Sequence, residues 1–330
     1  MIQDIHLVTL FSKEYILQGM AMLDSFAKHH KNSILHVLAL DDFTYLQLNK
    51  HISQKAFVVN LKNDLELSKL RSDLMENRSN SETIFTLKSY WIKCVSEKLP
   101  LKSKIIYVDA DIYFFNKIEF AHSSNWSVLL SKHDFSNLQF EIKSGKYNAG
   151  LISFNLDQNS LAAIRWWSSR TIELCDASVK ALNYADQKYL EYLPAEFAGV
   201  HEFPGKGTNL GLWKFQKKSK LSFRNGEIFF DGSKVNSFHF HGFKVGKYFY
   251  KLGLFRYGKP RNLRVLFLRI YLEYLRKIRD LNKLLDAENI DPMTNITRVL
   301  TSFIKAASRN PLILFDFWIR KIGKNSFWGG

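Results

Sequence analysis

Cysteine is scarce in these 330 residues: only Cys94 and Cys175 occur, each inside an apolar-periodic stretch. Two such thiols do not make a secreted disulfide framework, so buried free thiols in a reducing compartment are expected. Nowhere do 18 apolar residues run unbroken, which removes any candidate for a membrane-spanning helix. The opening MIQDIHLVTL carries Asp4 and lacks both the basic segment and the long apolar segment of a secretory signal. A cytoplasmic location is the expectation. Repeats and low-complexity tracts are also lacking. Acidic residues are in deficit, 31 Asp and Glu against 47 Lys and Arg, for a net charge of +16. From Lys244 onward there are 18 basic residues against 6 acidic ones, and before it 29 against 25. A near-neutral body therefore precedes a basic end.

What is present is enough apolar material, 46% of the chain, to bury a sizeable core and exclude a disordered chain. Aromatics reach 15%, which suits sugar faces or a membrane interface as well as core packing. Strands are predicted at Ile5–Leu10, Ile34–Leu40 and Phe57–Leu61, with a helix over Met20–His30 whose Met22, Leu23 and Phe26 face the core. Leu65–Asn80 is polar and charged, and a helix follows from Ser81 to Leu99, closed by Pro100. Strands alternating with helices indicate an α/β domain with a largely parallel sheet. Further strands are expected at Lys104–Val108, Ile112–Phe115, Trp126–Leu130 and Leu151–Phe154. A helix carries Trp166 and Trp167, another spans Asn183–Leu193, and Ser237–Lys244 is a strand turning at Gly242. Leu263–Leu285 reads as an amphipathic helix, its apolar face running from Phe267 through Ile270, Tyr271, Tyr274, Ile278 and Leu281 to Leu285.

The most continuous strand signal, Lys104–Val108, delivers Asp109-Ala110-Asp111. Ligands of open α/β sheets sit outside the carboxyl ends of strands. Two carboxylates one residue apart there can share one Mg²⁺ or Mn²⁺, a hard ion that keeps positions open for phosphate oxygens. An acid pair at a strand end is also ordinary turn chemistry. The nucleophile motif of haloacid-dehalogenase-type phosphatases places the same triplet after an apolar strand, though with Thr or Val where this chain has Tyr113.

Four blocks in order, Ile105–Phe115, Tyr147–Asn155, Tyr184–Tyr189 and Phe238–Lys244, resemble GT-A glycosyltransferases, specifically the family-8-like enzymes and bacterial lipopolysaccharide and capsule transferases. The resemblance covers roughly residues 1–245. It implies a Rossmann-like nucleotide-diphospho-sugar transferase fold with a mostly parallel central sheet over 1–245, plus a basic helical extension over 246–330. It further implies that Asp109, Asp111 and His239 hold Mn²⁺ or Mg²⁺. Of His239 and His241, one is expected to face the site, and the spacing to Gly242 selects His239. Asn148, Ala149 and Gly150 would lie under the donor sugar, with Asp186 and Gln187 at the reaction centre. Lys88 stands where family members carry Arg and would contact the diphosphate. Lys244, or Lys247, would be the phosphate-binding lysine, and Thr9 a nucleotide contact. Trp213 either stacks on a sugar or folds into the core, and Lys214 replaces the family's Asn.

The expected activity is transfer of a hexose from a nucleotide-diphosphate sugar, a UDP-sugar foremost, to a glycan or lipid-linked acceptor in surface-polysaccharide synthesis, with retention. A phosphatase and a non-catalytic membrane- or polysaccharide-binding protein on a degenerate transferase fold are the alternatives. No nucleic-acid partner is expected. The basic end, with its amphipathic helix and the Trp/Phe/Lys-rich Pro311–Trp328, is a candidate contact to the inner face of the cytoplasmic membrane, or packs on the catalytic domain.

Overall fold

The computed structural model describes residues 4–52, 55–120, 125–135, 137–178, 184–215, 219–246, 250–254, 256–257 and 266–286. Four strands, β1 (Ile5–Phe11), β2 (Ser33–Ala39), β3 (Ala56–Asn60) and β4 (Lys104–Val108), pair in parallel in the order β3-β2-β1-β4. All seven residues of β2 are buried. A strand covered on both faces reads as an unbroken apolar run, which is why these strands are legible in sequence. The sheet continues as β4-β7-β6-β8, with β6 (Val128–Lys132), β7 (Tyr147–Asn155) and β8 (Val200–Glu202). β7 runs antiparallel to both β4 and β6, and β8 is parallel to β6. The α/β architecture with a mostly parallel central sheet is the expected one.

Helices cover both faces. α1 (Ile16–His29) buries Met22, Leu23 and Phe26 in one apolar layer, as its spacing predicts. α2 (Asp42–His51) starts at Asp41, whose carboxylate accepts from the Thr44 N–H at 2.8 Å. The polar stretch after Leu65 contains a further helix, α3 (Leu65–Met75), that sequence patterning does not reveal, because only Leu67 and Leu74 of it are buried. α4 (Asn80–Ser96) opens on a capping box made by Ser79 and Glu82. It packs with α6 (Gln158–Glu173) in the second apolar layer, where Trp167 is fully buried. α5 (Leu138–Ser144) stands between β6 and β7.

Two regions depart from expectation. The stretch from Tyr184 is not one helix: Ala185 turns with φ +53°, a single 3₁₀ turn follows at Lys188–Glu191, and α7 is only Leu193–Glu196. Tertiary bonds hold it open, since Ala185 N–H donates to the Asp176 carbonyl and the Trp167 indole N–H to the Asp186 carbonyl, each at 2.8 Å. The strands β9 (Leu221–Arg224), β10 (Glu227–Phe230) and β11 (Ser233–Lys234) form a small antiparallel sheet that was not anticipated.

A ribbon of β5 (Ile112–Phe114) and β12 (Ser237–His239) crosses the end of the main sheet. Beneath it, a π-helical turn at Phe267–Tyr271 leads into α8 (Leu272–Asp286). The predicted amphipathic helix thus forms, and its apolar face is buried: Ile270, Tyr271, Tyr274, Ile278, Leu281 and Leu285 join the same core as β1 and α1. Tyr274 stacks on Phe240 with ring centroids 3.8 Å apart, and Lys277 pairs with Asp24 of α1 at 2.6 Å. That face is consequently not available to a membrane. Pro311–Trp328 and Lys247 lie outside the described residues. Among the described residues no helix is long and apolar enough to cross a membrane.

Candidate active site

The end of β4 is where the main sheet and the β5–β12 ribbon meet. The chain leaves β4 at Asp109, turns through Ala110 and Asp111, and enters β5 at Ile112. Antiparallel pairing sets His239 opposite Ile112, and the Phe240 N–H donates to the Asp111 carbonyl at 2.8 Å. Register alone therefore carries an imidazole 128 residues away in sequence to the acidic triplet. Ligand atoms of Asp109, Asp111 and His239 all lie within 4.8 Å of one another.

Their electrostatics are mutual. Burial would raise the Asp111 carboxyl, but the His239 ring, with Nε2 3.0 Å from the carboxylate, pulls it down to about 2. Burial would depress His239, and Asp111 raises it above the ordinary histidine value instead. A divalent ion held here would have to displace the Nε2 proton, so its apparent affinity would rise with pH.

The donor set fits Mn²⁺ or Mg²⁺: two carboxylates, partly exposed at 27% and 14%, and one buried imidazole converge on one point. His239 Nδ1 lies 3.2 Å from the Asn209 Oδ1. An N–H at Nδ1 donating there leaves Nε2 as the lone-pair nitrogen facing the acids. Gly150 closes the cradle: a Cβ there would sit 2.6 Å from His239 Cε1 and 2.9 Å from Asp109 Oδ2, so no side chain fits.

Gly150 arrives through strand polarity. Because β7 is antiparallel to β4, its beginning lies beside the end of β4, and the Asp109 N–H donates to the Gly150 carbonyl at 2.8 Å. Asn148, Ala149 and Gly150 are part of β7 and not a turn before it. The ladder with β6 is irregular: Leu130 pairs with Ile152 but Ser131 with Asn148, so residues 149–151 are extra to it. Asn148 Oδ1 accepts from the Gly150 N–H at 2.9 Å and from the Asn209 amide at 2.8 Å. Gln187 Oε1 accepts from the Ala149 N–H at 3.2 Å, and its Nε2 donates to the Ser144 carbonyl at 2.7 Å.

On the other side, Lys88 of α4 reaches under the triplet. Its ammonium, on a residue 4% exposed, lies 2.9 Å from Asp186 and 3.4 Å from Asp109. Burial opposes its charge, but the two carboxylates outweigh burial and hold it protonated well above the ordinary lysine range. For Asp186, 2% exposed, burial wins over Lys88 and the carboxyl is raised. We read the unit as an ion pair on the 2.9 Å approach, with Lys88 charged.

These groups floor a cavity of about 820 Å³ lined also by Leu10, Ser12, Tyr15 and Leu40 from the carboxyl ends of β1 and β2. Asp109, Asp111, His239, Asn148, Ala149, Gly150, Asp186, Gln187 and Lys88 all line it, so the fold brings these nine candidates together. Three expectations are corrected. Thr9 is fully buried and donates to the Val108 carbonyl at 2.7 Å, tying β1 to β4 and not facing the cavity. Lys244 is exposed and donates to the Tyr15 hydroxyl at 2.7 Å; it does not line the cavity, whereas Arg256 does. Both His239 and His241 face the cavity, because residues i and i+2 of an extended chain share a side. His241 bonds the Tyr257 hydroxyl at 2.7 Å, and burial lowers it to about 4. Trp213 is 1% exposed and packs edge-on against His133, His239 and Tyr257, as a floor residue of the cavity. The neighbouring Lys214 is buried and points to Asp134 at 3.8 Å, and burial lowers its pKa to about 8.

Asn209 was missed in sequence, where it is one polar residue of a Gly-rich loop. Fully buried with φ +50°, it bonds both Asn148 and His239 and so couples the start of β7 to the Asp109–Asp111–His239 cluster. Asn209→Ala is expected to weaken Mn²⁺ binding by ~10–100-fold, the range for groups that orient a ligating histidine. Calorimetric titration checks this, and an unchanged dissociation constant would remove the orienting role.

No family model matches the chain. The uncharacterized protein YfnF of Bacillus subtilis (strain 168) is 29% identical over 252 residues, 72% of this chain and 81% of its own. Among solved structures, the galactosyltransferase LgtC in complex with donor and acceptor sugar analogs aligns over 72% of this chain and 87% of its own, at 16% identity with a TM-score of 0.46. Mouse xyloside xylosyltransferase 1, apo form, aligns over 72% and 98%, at 12% identity with a TM-score of 0.43. The chain is similar to these proteins among others, and at such distances the site's own chemistry has to carry the function.

Proposed function

We propose that this chain is a metal-dependent glycosyltransferase of GT-A type that moves a hexose from a nucleotide-diphosphate sugar, a UDP-sugar foremost, to a glycan or lipid-linked glycan in surface-polysaccharide synthesis. The observation that carries the reading is the convergence of Asp109, Asp111 and His239 at a strand end, on the floor of a cavity large enough for a nucleotide sugar.

Bound Mn²⁺ or Mg²⁺ supplies charge neutralisation to the departing diphosphate. Asp109, Asp111 and His239 hold it there. Arg256, at the cavity wall beside Gly242, offers a fork of donors to phosphate oxygens in the role expected of Lys244. The β7 backbone at Ala149 and Gly150 forms the sugar bed, and Gln187 keeps it in place. The Lys88–Asp186 pair sets the field beneath the anomeric carbon, with Asp186 on the side where positive charge develops.

In retaining transfer the bond from the anomeric carbon to the diphosphate oxygen breaks, the acceptor oxygen bonds to that carbon on the same face, and the acceptor proton passes to the departing diphosphate. The block resemblance supports retention, and the anomeric configuration of the product tests it.

Hydrolysis of UDP-, GDP- and dTDP-sugars with Mn²⁺, with and without EDTA, tests the reading. Nucleoside diphosphate released from one donor, and stopped by EDTA, is the expected result. Release of inorganic phosphate from small phosphomonoesters in its place points to the phosphatase, and no turnover of any donor points to a binding protein.

A further inference from the structure

His133, the residue that follows β6, is buried in the cavity floor and has no part in the transfer chemistry above. Its ring is held on two sides. Phe135 stacks on it with centroids 4.3 Å apart, and Trp213 meets it edge-on at 5.7 Å. A phenyl ring would fill the same space, so packing alone does not call for an imidazole here. Both ring nitrogens are in use: Nδ1 lies 2.8 Å from the Gly145 carbonyl, and Nε2 lies 3.0 Å from the Asn148 amide nitrogen.

These contacts admit one polarity only. A main-chain carbonyl can only accept, so His133 Nδ1 carries the proton. The orientation of Asn148 is fixed independently. The Gly150 N–H can only donate, so the Asn148 atom 2.9 Å from it is Oδ1, and Nδ2 is the atom that faces His133. That Nδ2 can only donate, so His133 Nε2 is a bare acceptor and the ring is neutral. Burial acts in the same sense, pushing the imidazole down to about 3. The other Asn148 Nδ2 proton goes to Gln187 Oε1 at 3.3 Å, and Gln187 is itself oriented by donating to the Ser144 carbonyl. Asn148 Oδ1 accepts a second bond from Asn209 Nδ2 at 2.8 Å. Asn209 Oδ1 is then the atom that accepts from His239 Nδ1 at 3.2 Å.

We propose that His133 is a positioning residue for His239: the relay from Gly145 through His133, Asn148 and Asn209 holds the His239 ring with a proton on Nδ1 and with Nε2 turned to Asp109 and Asp111. The origin of that order is a carbonyl at the end of α5, and the relay crosses from β6 to β7 and on to β12. The proposal rests on the reading of Asp109, Asp111 and His239 as a metal site.

Calorimetric Mn²⁺ titration of the full chain tests it with two variants. His133→Phe keeps the ring packing and loses both hydrogen bonds, whereas His133→Gln retains a donor and an acceptor. His133→Phe is expected to weaken Mn²⁺ binding about tenfold, and His133→Gln to stay within about threefold of wild type. Because the relay runs in series, His133→Phe/Asn209→Ala should bind no more weakly than Asn209→Ala alone, whereas two independent packing defects would add. In the metal-free wild type, ¹⁵N NMR of the ring nitrogens should show His133 neutral with its proton on Nδ1. Wild-type affinity in His133→Phe, equal losses in both single variants, or additive losses in the double variant overturns the proposal. A His133 proton on Nε2 does so as well, and that measurement decides the matter if His133→Phe does not fold. A wild type that binds no Mn²⁺ removes the metal reading itself and the proposal with it, an outcome distinct from any difference between variants.

Discussion

Asp109→Ala and Asp111→Ala should each lower Mn²⁺-dependent donor turnover by about 10³-fold or more, the equivalent of the several kcal/mol that a metal contributes at a departing phosphate. The two carboxylates and His239 are the one cluster of this kind among the described residues, so no neighbouring acid substitutes. The variants differ in what they leave behind. Without Asp111, the buried His239 ring loses its partner at 3.0 Å. Its pKa then falls, since burial lowers it and Asp111 is what raises it. Without Asp109, the Lys88 ammonium keeps Asp186 at 2.9 Å. Both variants should therefore fold. Nucleoside diphosphate release measured across a Mn²⁺ titration, with circular dichroism to confirm folding, is the test. Full turnover in either variant with EDTA present would overturn metal dependence.

Lys88→Met should cost about 3–5 kcal/mol of stability, because it strands the Asp186 carboxylate in a nearly dry site. The pH dependence follows in sign. A carboxyl whose folded pKa lies above its unfolded value is penalised when ionised, so the folded state gains stability as pH falls through the raised pKa. Asp186 is already raised by burial with Lys88 opposing that rise, and removing Lys88 raises it further. The variant's deficit against wild type should accordingly be largest near neutrality and shrink as pH drops toward 4. Denaturant unfolding at several pH values reads this out. The double variant Lys88→Met/Asp186→Asn should regain most of the stability while donor turnover stays low. A deficit independent of pH, or a double variant no more stable than the single one, would show that Lys88 acts through packing alone.

The acidic triplet was legible because its strand is buried on both faces, so that Ile105–Val108 reads as an apolar run with two acids directly after it. Lys88 was legible only as a cation on a helix before that strand. Nothing in its neighbourhood in the chain announces that Asp186, 98 residues on, lies 2.9 Å away. Asn209 left no signal, since a short amide in a Gly-rich loop resembles any turn residue until β12 and β7 arrive on either side of it. Thr9 misled for the opposite reason. A polar residue near the end of β1 looks like a ligand contact, yet its hydroxyl is used up on the neighbouring strand. The helix expected at Asp186-Gln187 failed because tertiary bonds to Ala185 and Asp186 outweigh local propensity there.

The C-terminal helix makes the same point on a larger scale. Its aromatic stripe was visible in sequence, but whether lipid or protein covers such a stripe depends on what stands opposite it, and here that is α1 and the β5–β12 ribbon. The exposed side of α5, by contrast, has too few residues to give a periodic signal.

By itself the sequence determined the local chemistry of this protein: α/β alternation, a strand ending in two acids, and a basic amphipathic end. These depend on neighbours along the chain, where periodicity and propensity act. Only the tertiary structure decided which histidine, lysine and amide meet those acids, and which face of each helix is spent on the core. Those outcomes depend on strand polarity and register, and above all on β7 running against β4 and β12 pairing with β5. Long-range pairing of this kind leaves no mark on the local pattern of residues.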